Sequence, residues 1–413
     1  MFIKKTPIPT IALIALLALT TFLPGTLAFA ADNPQTANDQ WQVSLNTWDN
    51  YEAYNVNNQL YIEARRFLED SGCIVFWNQT TSQIAVNSRD GDLWVHTVKS
   101  AQATLNGNLK DYSSPSVIID GKTFVSLQML QDLLRIDSIV EDAEKHGAYL
   151  YKTFATTEHN NQVMRILQGA GLDNYNPLNL PTYLQYQKDN PSLSVNEVVL
   201  HVNIGVHIPP YSQIVPVENP HSVFAVVDKN HRFDGGFVPN LTWIDGYQWA
   251  KEAGDAWLQM KNSARADGIK LSLNNTYRSI ASQTANYNNK IASGRSRENV
   301  DKTNSRPGHS EHHTGYAADM AGLNSFVGTR AHGWLVENGH KYGFIISFQA
   351  GKEFINHYSP EGWHIRWFPV KDAKVMYEQN LTIQEYDNLY LRPRSHGFFT
   401  DAAMVQTIVN ANN

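Results

Sequence analysis

The sequence predicts an α+β fold in two parts: a larger C-terminal domain built on an antiparallel sheet, and a smaller N-terminal α+β repeat domain. The chain has 413 residues, which is long for one domain at typical sizes of roughly 100–200 residues. Helical and strand-like stretches come in blocks rather than in regular alternation, which favours antiparallel pairing. A strand–helix pattern near the N-terminus also returns once along the chain.

Composition and charge narrow the class of protein. The net charge is −6 and no long run of one sign occurs, so we expect no nucleic-acid partner. Only 17% of residues are charged and 42% are hydrophobic, which is typical of a chain that folds over most of its length. We therefore expect a globular protein. We also expect it to be a monomer.

The first 30 residues have the layout of a secretory signal peptide. Lys4 and Lys5 precede an apolar stretch, Ile11–Leu23, and Ala28-Phe29-Ala30 forms a small-x-small cleavage site. The apolar stretch is shorter than the ~20 residues that a membrane-spanning helix needs. We expect cleavage after Ala30 and a secreted protein, extracellular or associated with the cell wall; a retained membrane anchor is the alternative. Residues 31–45 are polar and predict a linker.

Cys73 is the single cysteine, so the chain has no internal disulfide. An exported protein without disulfides fits a bacterium better than a eukaryotic secretory route. Because Cys73 opens the apolar run Cys73–Trp77, we expect a buried and unreactive thiol rather than a catalytic one.

Residues 46–153 predict a small domain with an imperfect internal duplication. A strand at Asn58–Ile62 leads into a helix at Ala64–Asp70, and a strand at Ile74–Trp77 follows. The same order returns at Gly121–Val125, followed by a helix at Leu127–Leu134.

This segment resembles the copper amine oxidase N-terminal domain, a common addition to secreted proteins of Gram-positive bacteria. The family name does not imply copper here. Its two histidines, His96 and His146, are far apart in the sequence, so we expect no metal site in this domain.

Residues 154–205 predict a connector, and residues 206–390 predict one mixed domain followed by a C-terminal tail, 391–413. In the connector we expect a helix at Gln162–Leu167 and a strand at Val198–Val202. The larger domain is predicted to contain strands at Ser222–Val227 and Leu271–Leu273, and helices at Tyr247–Asp267 and Gln283–Ile291.

Three side chains of the larger domain suit a metal site. A catalytic zinc needs three protein ligands and an open position, and His312, Asp319 and His364 can supply two imidazoles and one carboxylate. Gly315 permits a turn after His312, and the residues up to Asp319 then alternate like a strand. His309 and His313 are rival ligands, and spacing alone does not decide between them.

A carboxylate precedes the last of these histidines. Glu361 lies three residues before His364, with Pro360 and Gly362 beside it, and these favour a tight turn. In such a turn Glu361 can converge with His364 and act as a general base toward a water molecule.

The motifs together resemble the zinc D-alanyl-D-alanine carboxypeptidases of the vancomycin-resistance type and their L,D-carboxypeptidase relatives. The pattern Ser-x-His-x-x-Gly-x-Ala-x-Asp spans Ser310–Asp319, and Glu-x-Trp-His spans Glu361–His364. Tyr277-Arg278-Ser279 with Gln283 matches the family's Tyr-Arg-Ser-x-x-x-Gln element. Trp334-Leu335 and Tyr342–Ile345 match its Trp-Leu and Tyr-Gly-Phe segment. The resemblance covers roughly residues 205–390.

The resemblance implies a role for each matched position and an antiparallel-sheet zinc peptidase fold. Zn²⁺ would be bound by His312, Asp319 and His364, and Glu361 would be the catalytic base. Arg278 would stabilise the oxyanion or hold the scissile carbonyl. Two further residues would line the substrate pocket, Gln283 and Ser310. The implied enzyme is a secreted zinc carboxypeptidase that removes the terminal D-alanine from peptidoglycan stem peptides.

Other functions stay open. Gly362 stands where the family usually has Pro, and Ser347 stands where it usually has Arg, so the substrate preference is in doubt. An L,D-carboxypeptidase or an L-Ala-D-Glu endopeptidase of the same fold is the enzymatic alternative. The alternative of another class is a non-catalytic module that binds the cell wall. The partner of the N-terminal domain, the wall or another protein, is not determined. The motif Ser-x-x-Lys does not occur, which excludes a serine D,D-peptidase of the penicillin-binding type. The motif His-Glu-x-x-His is also absent, which excludes a thermolysin-like metallopeptidase.

Overall fold

The structure is a computed structural model and describes residues 40–45, 48–88, 90–142, 144, 146–152 and 174–392. The described residues fall into two compact units, one ending at Gln185 and one beginning at Tyr186. The predicted signal peptide, the predicted helix at Gln162–Leu167 and most of the predicted C-terminal tail lie outside the described residues. None of the described helices is long and apolar enough to cross a membrane.

The N-terminal unit contains two sheets and two principal helices. Five consecutive strands form a meander in which each strand pairs with the next. The seven strands that precede and follow them in the sequence form a mixed sheet. The elements are β1 (Gln40–Leu45), β2 (Trp48–Val56), β3 (Gln59–Glu63), α1 (Ala64–Asp70), β4 (Ile74–Asn78), β5 (Gln83–Asn87), β6 (Leu93–Thr97), β7 (Gln102–Leu105), β8 (Asn108–Asp111), β9 (Val117–Ile119), β10 (Lys122–Ser126), α2 (Leu127–Leu134), β11 (Ser138–Asp142) and β12 (Gly147–Tyr151). The seven-stranded sheet has the order β11-β12-β1-β2-β3-β10-β9.

The predicted duplication is present as two strand–helix units, β3–α1 and β10–α2, whose strands pair antiparallel. In each unit a polar residue at the strand end caps the helix. The Glu63 carboxylate accepts hydrogen bonds from the first turn of α1, and the Ser126 hydroxyl accepts one from the Met129 amide. These caps satisfy amides that lack an intrahelical partner, so the chain can pass from strand to helix without a loop.

The core of this unit buries the single cysteine. Cys73 is 1% exposed and packs with residues such as Phe67 and Leu130. Its apolar surroundings fit the unreactive thiol predicted from the sequence. Residues 40–45, predicted as the end of a linker, instead form β1, which pairs with β2 and β12 and buries Val43 and Leu45.

The C-terminal unit is built around a four-stranded antiparallel sheet of order β17-β18-β20-β19. Its elements, with a helix that spans the unit boundary given first, are α3 (Leu180–Asp189), α4 (Val195–Asn203), β13 (Val215–Pro216), β14 (His231–Arg232), β15 (Thr242–Ile244), β16 (Tyr247–Trp249), α5 (Lys251–Ala266), β17 (Leu273–Asn275), α6 (Ile280–Ala292), α7 (Arg297–Thr303), β18 (Ala317–Met320), α8 (Arg330–Asn338), β19 (Phe344–Ile346), α9 (Glu353–Asn356), β20 (His364–Trp367), α10 (Val370–Glu378) and α11 (Ile383–Tyr386). Trp249, Trp257 and Ile365 are fully buried in its core. The predicted antiparallel sheet is therefore confirmed.

Two predicted strands of the C-terminal half are wrong. Val198–Val202 belongs to helix α4, because Ser194 and Glu197 form a capping box that starts the helix, and Val198, Val199 and Val202 then share one buried face. The predicted strand at Ser222–Val227 is absent, and a loop runs there.

The loop at 222–227 is explained by hydrogen bonds to a residue far away in the sequence. The carbonyl oxygens of Val223 and Ala225 accept hydrogen bonds from the buried Arg366 guanidinium, so these backbone groups are satisfied by a side chain instead of a neighbouring strand. The predicted helix at Tyr247–Asp267 begins four residues late, at Lys251, because Tyr247–Trp249 pairs with β15 as strand β16.

Candidate active site

Two predicted metal ligands lie side by side on the central strands of the C-terminal sheet. In the antiparallel pair β18–β20, Asp319 is directly opposite His364, and Ala317 is opposite Arg366. Residues two apart on a strand share a face, so all four side chains project to the same side of the sheet. Strand pairing therefore sets the distance between the carboxylate and the imidazole.

The third ligand is on a short 3-10 turn, Glu311–Thr314, just before β18. The Ser310 hydroxyl caps the turn by accepting a hydrogen bond from the His312 amide. Gly315 ends it with φ +76°, and a β-carbon there would meet Leu241 at 2.8 Å and the Ala250 amide nitrogen at 3.0 Å. Only glycine fits this position, so the turn returns at once into β18.

His312, Asp319 and His364 can converge on one metal ion. One ligand atom from each lies within 4.8 Å of the others, and all three side chains are buried. His312 Nε2 is 3.3 Å from Asp319 Oδ2, and His364 Nδ1 is 3.0 Å from Asp319 Oδ1. His312 Nδ1 donates to the Thr276 carbonyl at 2.6 Å, which turns Nε2 toward the site. Two imidazoles and a carboxylate are a donor set that zinc uses in catalytic sites.

A buried ion pair between Glu311 and Arg366 contacts His364 at the ring nitrogen that does not face Asp319. Glu311 Oε2 is 2.9 Å from His364 Nε2, and Arg366 Nη1 donates to Glu311 Oε1 at 2.9 Å. Burial opposes ionisation of Glu311, but the charges of Arg366 and His364 outweigh it and lower the pKa of Glu311 to about 2. Burial likewise opposes a charge on His364, but Asp319 and Glu311 raise its pKa to about 10. The two carboxylates thus favour a positive charge between them.

Glu361 lies in the turn that leads into β20. Its amide donates to the Phe348 carbonyl, and its own carbonyl accepts from the His364 amide at 3.0 Å, which closes the turn predicted from the sequence. The side chain lines the same groove as the three candidate ligands. Burial, together with the charge of Asp319, raises the pKa of Glu361 to about 7. A carboxylate with this pKa can take up and release a proton near neutral pH.

Arg278 lies at the edge of the candidate metal site and is held there by neutral side chains. Its Nη1 donates to Gln283 Oε1 at 2.7 Å, and its Nη2 donates to Asn275 Oδ1 at 3.0 Å. Nη2 is also 3.7 Å from Asp319 Oδ2. The guanidinium lines the groove, so it can face a bound substrate without rearrangement.

The predicted pocket residues separate into two kinds. Ser310 lines the groove in addition to capping its turn. Gln283 does not: it is fully buried, and its amide bridges Arg278 and the Ser305 carbonyl. In the structure Gln283 therefore holds Arg278 in place rather than lining the substrate pocket, because α6 turns its side chain toward the protein interior.

The rival histidines are committed elsewhere. His313 Nδ1 donates to the Arg278 carbonyl at 2.7 Å, and its Nε2 accepts from the Gly308 amide at 3.2 Å. His309 Nδ1 donates to the Asp228 carbonyl at 2.8 Å. Both rings are therefore held by backbone groups and are not part of the candidate ligand set. Sequence spacing alone could not distinguish them from the candidate ligands.

The site contains several groups that sequence reasoning missed. Arg366 was not predicted, although its place two residues after His364 in a strand puts both on one face. Glu311 lies within the Ser310–Asp319 motif, at a position that the motif leaves undefined. The groove, about 550 Å³ in volume, also includes Asn275, Asn286, Lys290 and Arg295, for which no sequence motif pointed to a site. The two departures from the family pattern, Ser347 and Gly362, are not on the groove wall.

Comparison with known proteins matches both parts of the chain. The D-alanyl-D-alanine carboxypeptidase family VanY matches residues 247–370, and the copper amine oxidase N-terminal domain matches residues 45–146. YodJ of Bacillus subtilis (strain 168), which carries a carboxypeptidase name, is 32% identical over 188 residues, 41% of this chain and 68% of that protein. A D-alanyl-D-alanine carboxypeptidase of Enterococcus faecalis (strain ATCC 700802 / V583) is 31% identical over 31% of this chain, and the match spans about half of the enterococcal protein, 51%.

Solved structures of the same class are also similar. The LD-carboxypeptidase LdcB is 32% identical, with 42% of this chain and 89% of that chain covered and a TM-score of 0.40. A Zn(II) complex of a mutant D,D-pentapeptidase VanY from a VanB-type resistance cassette is 26% identical, with 40% and 98% covered and a TM-score of 0.36.

The family assignment depends on the sequence comparison, in which more than two thirds of YodJ is matched at 32% identity. The matched VanY segment, 247–370, contains Arg278, the three candidate ligands and Glu361. The chain therefore belongs to the VanY family of D-alanyl-D-alanine carboxypeptidases.

Proposed function

We propose that the protein is a zinc D,D-carboxypeptidase that removes the terminal D-alanine from peptidoglycan stem peptides. One observation carries the proposal: His312, Asp319 and His364 converge within 4.8 Å in a groove that also presents Glu361 and Arg278. The groove thus combines a candidate metal site, a group that titrates near neutral pH and a fixed cation. Hydrolysis of a peptide bond by a zinc enzyme uses all three functions.

Zinc suits the donor set, and the residues that would hold it are His312, Asp319 and His364. When bound, zinc supplies Lewis-acid chemistry that polarises a carbonyl and makes a water molecule more acidic. Glu311 and Arg366 would keep the His364 ring in its orientation, since Glu311 Oε2 contacts the ring nitrogen that is turned away from Asp319.

Glu361 would move the proton. Its carboxylate would accept a proton from the attacking water and then donate it to the amine of the leaving residue. The pKa of about 7 suits both steps, because a group that titrates near the working pH can accept and return a proton.

Arg278 would stabilise the negative charge that develops on the scissile carbonyl oxygen. Gln283 and Asn275 already hold the guanidinium in place, so little reorganisation is needed as the charge forms. Both of these partners are neutral amides, and the ion pair of the guanidinium with Asp319 is longer, 3.7 Å between Nη2 and Oδ2.

The bond that is cut has a second candidate. LdcB, one of the similar structures, is named as an LD-carboxypeptidase, whereas the VanY structure is named as a D,D-pentapeptidase. The ligand set, the base and the arginine suit either reaction, because each hydrolyses a peptide bond near a free carboxyl terminus. An L,D-carboxypeptidase that acts on tetrapeptide stems is therefore the alternative.

We also propose that the protein acts outside the cytoplasm, at the cell wall. The layout of residues 1–30 supports secretion, and the substrate is a wall component. The N-terminal unit would then contact the wall or a second protein, and the enzyme would act as a monomer.

The test is mass spectrometry of stem peptides after incubation with the purified protein. Pentapeptide and tetrapeptide stems are incubated with the zinc-loaded and the chelator-treated protein. Loss of one alanine from the pentapeptide alone, abolished by the chelator and by His364→Ala, is the expected result. Loss of alanine only from the tetrapeptide would favour L,D cleavage. No cleavage of either stem by a protein with one bound zinc would refute the proposal.

A further inference from the structure

The active-site groove contains two cations that the proposed chemistry does not use, Lys290 and Arg295. Gln283, Asn286 and Lys290 are spaced along α6 so that they lie on one side of the helix. Arg295 follows the helix end, in the turn before α7. Both cations are half-buried and line the same groove as the candidate metal ligands.

Neither cation forms an ion pair with a carboxylate among the described residues. Lys290 Nζ donates to Asn304 Oδ1 at 3.0 Å. Arg295 donates to Asn299 Oδ1 at 2.9 Å and to the Thr303 hydroxyl at 3.3 Å. All of these acceptors are neutral. Elsewhere in this unit a buried arginine such as Arg366 has a carboxylate partner, Glu311.

Two of the three carboxylates that line the groove are already engaged. Asp319 contacts His312 and His364, and Glu311 contacts His364 and Arg366. Glu361 remains, and it is the group assigned to proton transfer. A bound divalent cation would add positive charge to this region. The groove would then be electropositive toward a substrate, which favours an anionic one.

The ammonium of Lys290 is close enough to Arg278, Glu361 and Asp319 for their charges to act on it. It contacts Asn304, and the next residue, Ser305, accepts a hydrogen bond from Gln283, which holds Arg278. Burial lowers the pKa of Lys290 most, and the positive charges of Arg295 and Arg278 lower it further, while Glu361 and Asp319 act in the opposite direction. An anion bound between these cations would relieve their mutual repulsion.

We propose that Lys290 and Arg295 together bind a carboxylate of the substrate and make the enzyme selective for stem peptides in which that carboxylate is free. This inference rests on the proposed function. The carboxylate has two sources in a stem peptide: the C-terminal group of the leaving residue, or a free carboxylate of an acidic residue upstream of the cleaved bond. Both offer the same planar anion to an arginine fork and an ammonium.

The experiment compares three synthetic pentapeptides: one with all carboxylates free, one amidated at the C-terminus, and one amidated at the upstream acidic residues. The protein variants are Lys290→Met, Arg295→Gln and the double variant. Lys290→Arg tests rescue by charge. Lys270→Met and Arg265→Gln, which remove exposed cations outside the groove, are the matched controls.

The wild-type protein should lose about 10- to 100-fold in kcat/KM on one of the two amidated peptides, the range of one or two charge-assisted hydrogen bonds. The Lys290 and Arg295 variants should show a similar loss on the free peptide and should no longer distinguish it from that amidated peptide. The loss should appear mainly in KM, zinc content should be unchanged, and Lys290→Arg should recover most of the activity. The sensitive peptide identifies the source of the carboxylate.

Binding of the same peptides to Glu361→Gln, measured by calorimetry at two salt concentrations, gives a readout that does not need turnover. The inference would be overturned if the Lys290 and Arg295 variants lost kcat/KM equally on all three peptides, or if neither variant lost any. Either outcome would leave the proposed function intact. A wild-type protein that cleaves none of the peptides would refute the proposed function. The calorimetry would then still decide whether the two cations select a carboxylate.

Discussion

At the scale of single residues, the site combines groups whose environments push their ionisation in opposite directions. Glu311 is ionised well below neutral pH because Arg366 and His364 contact it, whereas the pKa of Glu361, which has no such partner, is raised to about 7 by burial. Two glutamates near one candidate metal site thus suit different roles, one as a fixed anion and one as a proton carrier.

Glu361→Gln should keep the metal and the fold but lose turnover by about 10²–10⁴-fold, because general acid–base help is removed. The pH profile is the sharper readout. The active form of Glu361 is the carboxylate, so wild-type turnover should rise with pH along an acidic limb. This limb should lie below pH 7, since a nearby divalent cation favours the ionised form. The limb should be absent from the residual activity of the variant, and near-normal activity in Glu361→Gln would show that another group is the base.

Arg278→Ala should reduce turnover by about 10²–10³-fold, the typical cost of removing one preorganised donor to a developing oxyanion. The acidic limb should be retained, because arginine does not titrate in this range. Comparison of kcat/KM–pH profiles for the two variants would distinguish their roles. A shift of the limb in Arg278→Ala would mean that the arginine acts through Glu361 instead of through the substrate.

Glu311→Gln should weaken zinc binding by about 10- to 100-fold, the usual effect of removing a carboxylate that supports a metal-bound histidine. The measurement is a competition titration with a chromophoric chelator. Glu353→Gln, at an exposed glutamate on α9, is the control and should bind zinc normally. Normal zinc affinity in Glu311→Gln would show that the Glu311–Arg366 pair only fills buried space.

At the scale of secondary-structure elements, the candidate metal site is formed by one strand pair and one turn. Strands β18 and β20 set the separation of Asp319 and His364, and the turn after Ser310 brings His312 to them. The turn depends on Gly315, whose positive φ and close neighbours leave no room for a side chain.

Gly315→Ala should therefore lower the free energy of unfolding by about 2–4 kcal/mol, through left-handed strain together with overpacking. Gly268→Ala is the matched control: its φ of +71° is similar, but a β-carbon there would meet nothing within 4 Å. That variant should lose only about 1–2 kcal/mol. Denaturant titration of both proteins gives the comparison, and equal losses would show that the contacts with Leu241 and Ala250 contribute nothing.

At the scale of the whole molecule, the chain divides into two units with separate cores. The residues of the site all belong to the unit that begins at Tyr186, as does its supporting core around Trp249 and Trp257. Nothing in the site draws on the N-terminal unit within the described residues.

A fragment that begins at Tyr186 should therefore fold, bind one zinc ion and cleave short soluble stem peptides at a rate within a few-fold of the full chain. The readouts are circular dichroism, zinc content and peptide turnover, with the full chain as reference. A fragment that binds zinc but is inert on short peptides would show that the N-terminal unit helps to form the active site.

The sequence by itself determined the parts that depend on local pattern. The repeated strand–helix order predicted the duplicated units of the N-terminal domain, and the resemblance of the motifs to a known family implied the ligand set that the structure brings together. These features need only neighbours along the chain: a cap acts within one turn, and a glycine permits its own φ.

Tertiary structure alone decided which of the polar groups work together. Glu311 contacts His364 across 53 positions of sequence, and Arg366 reaches the 222–227 loop across more than 140. Contacts across only 5, 14 and 4 positions turn Gln283 toward Arg278 and hold Lys290 and Arg295 against neutral acceptors. Sequence pattern does not encode these pairings, because a buried polar group must be satisfied by whatever partner the packed fold brings within hydrogen-bonding distance.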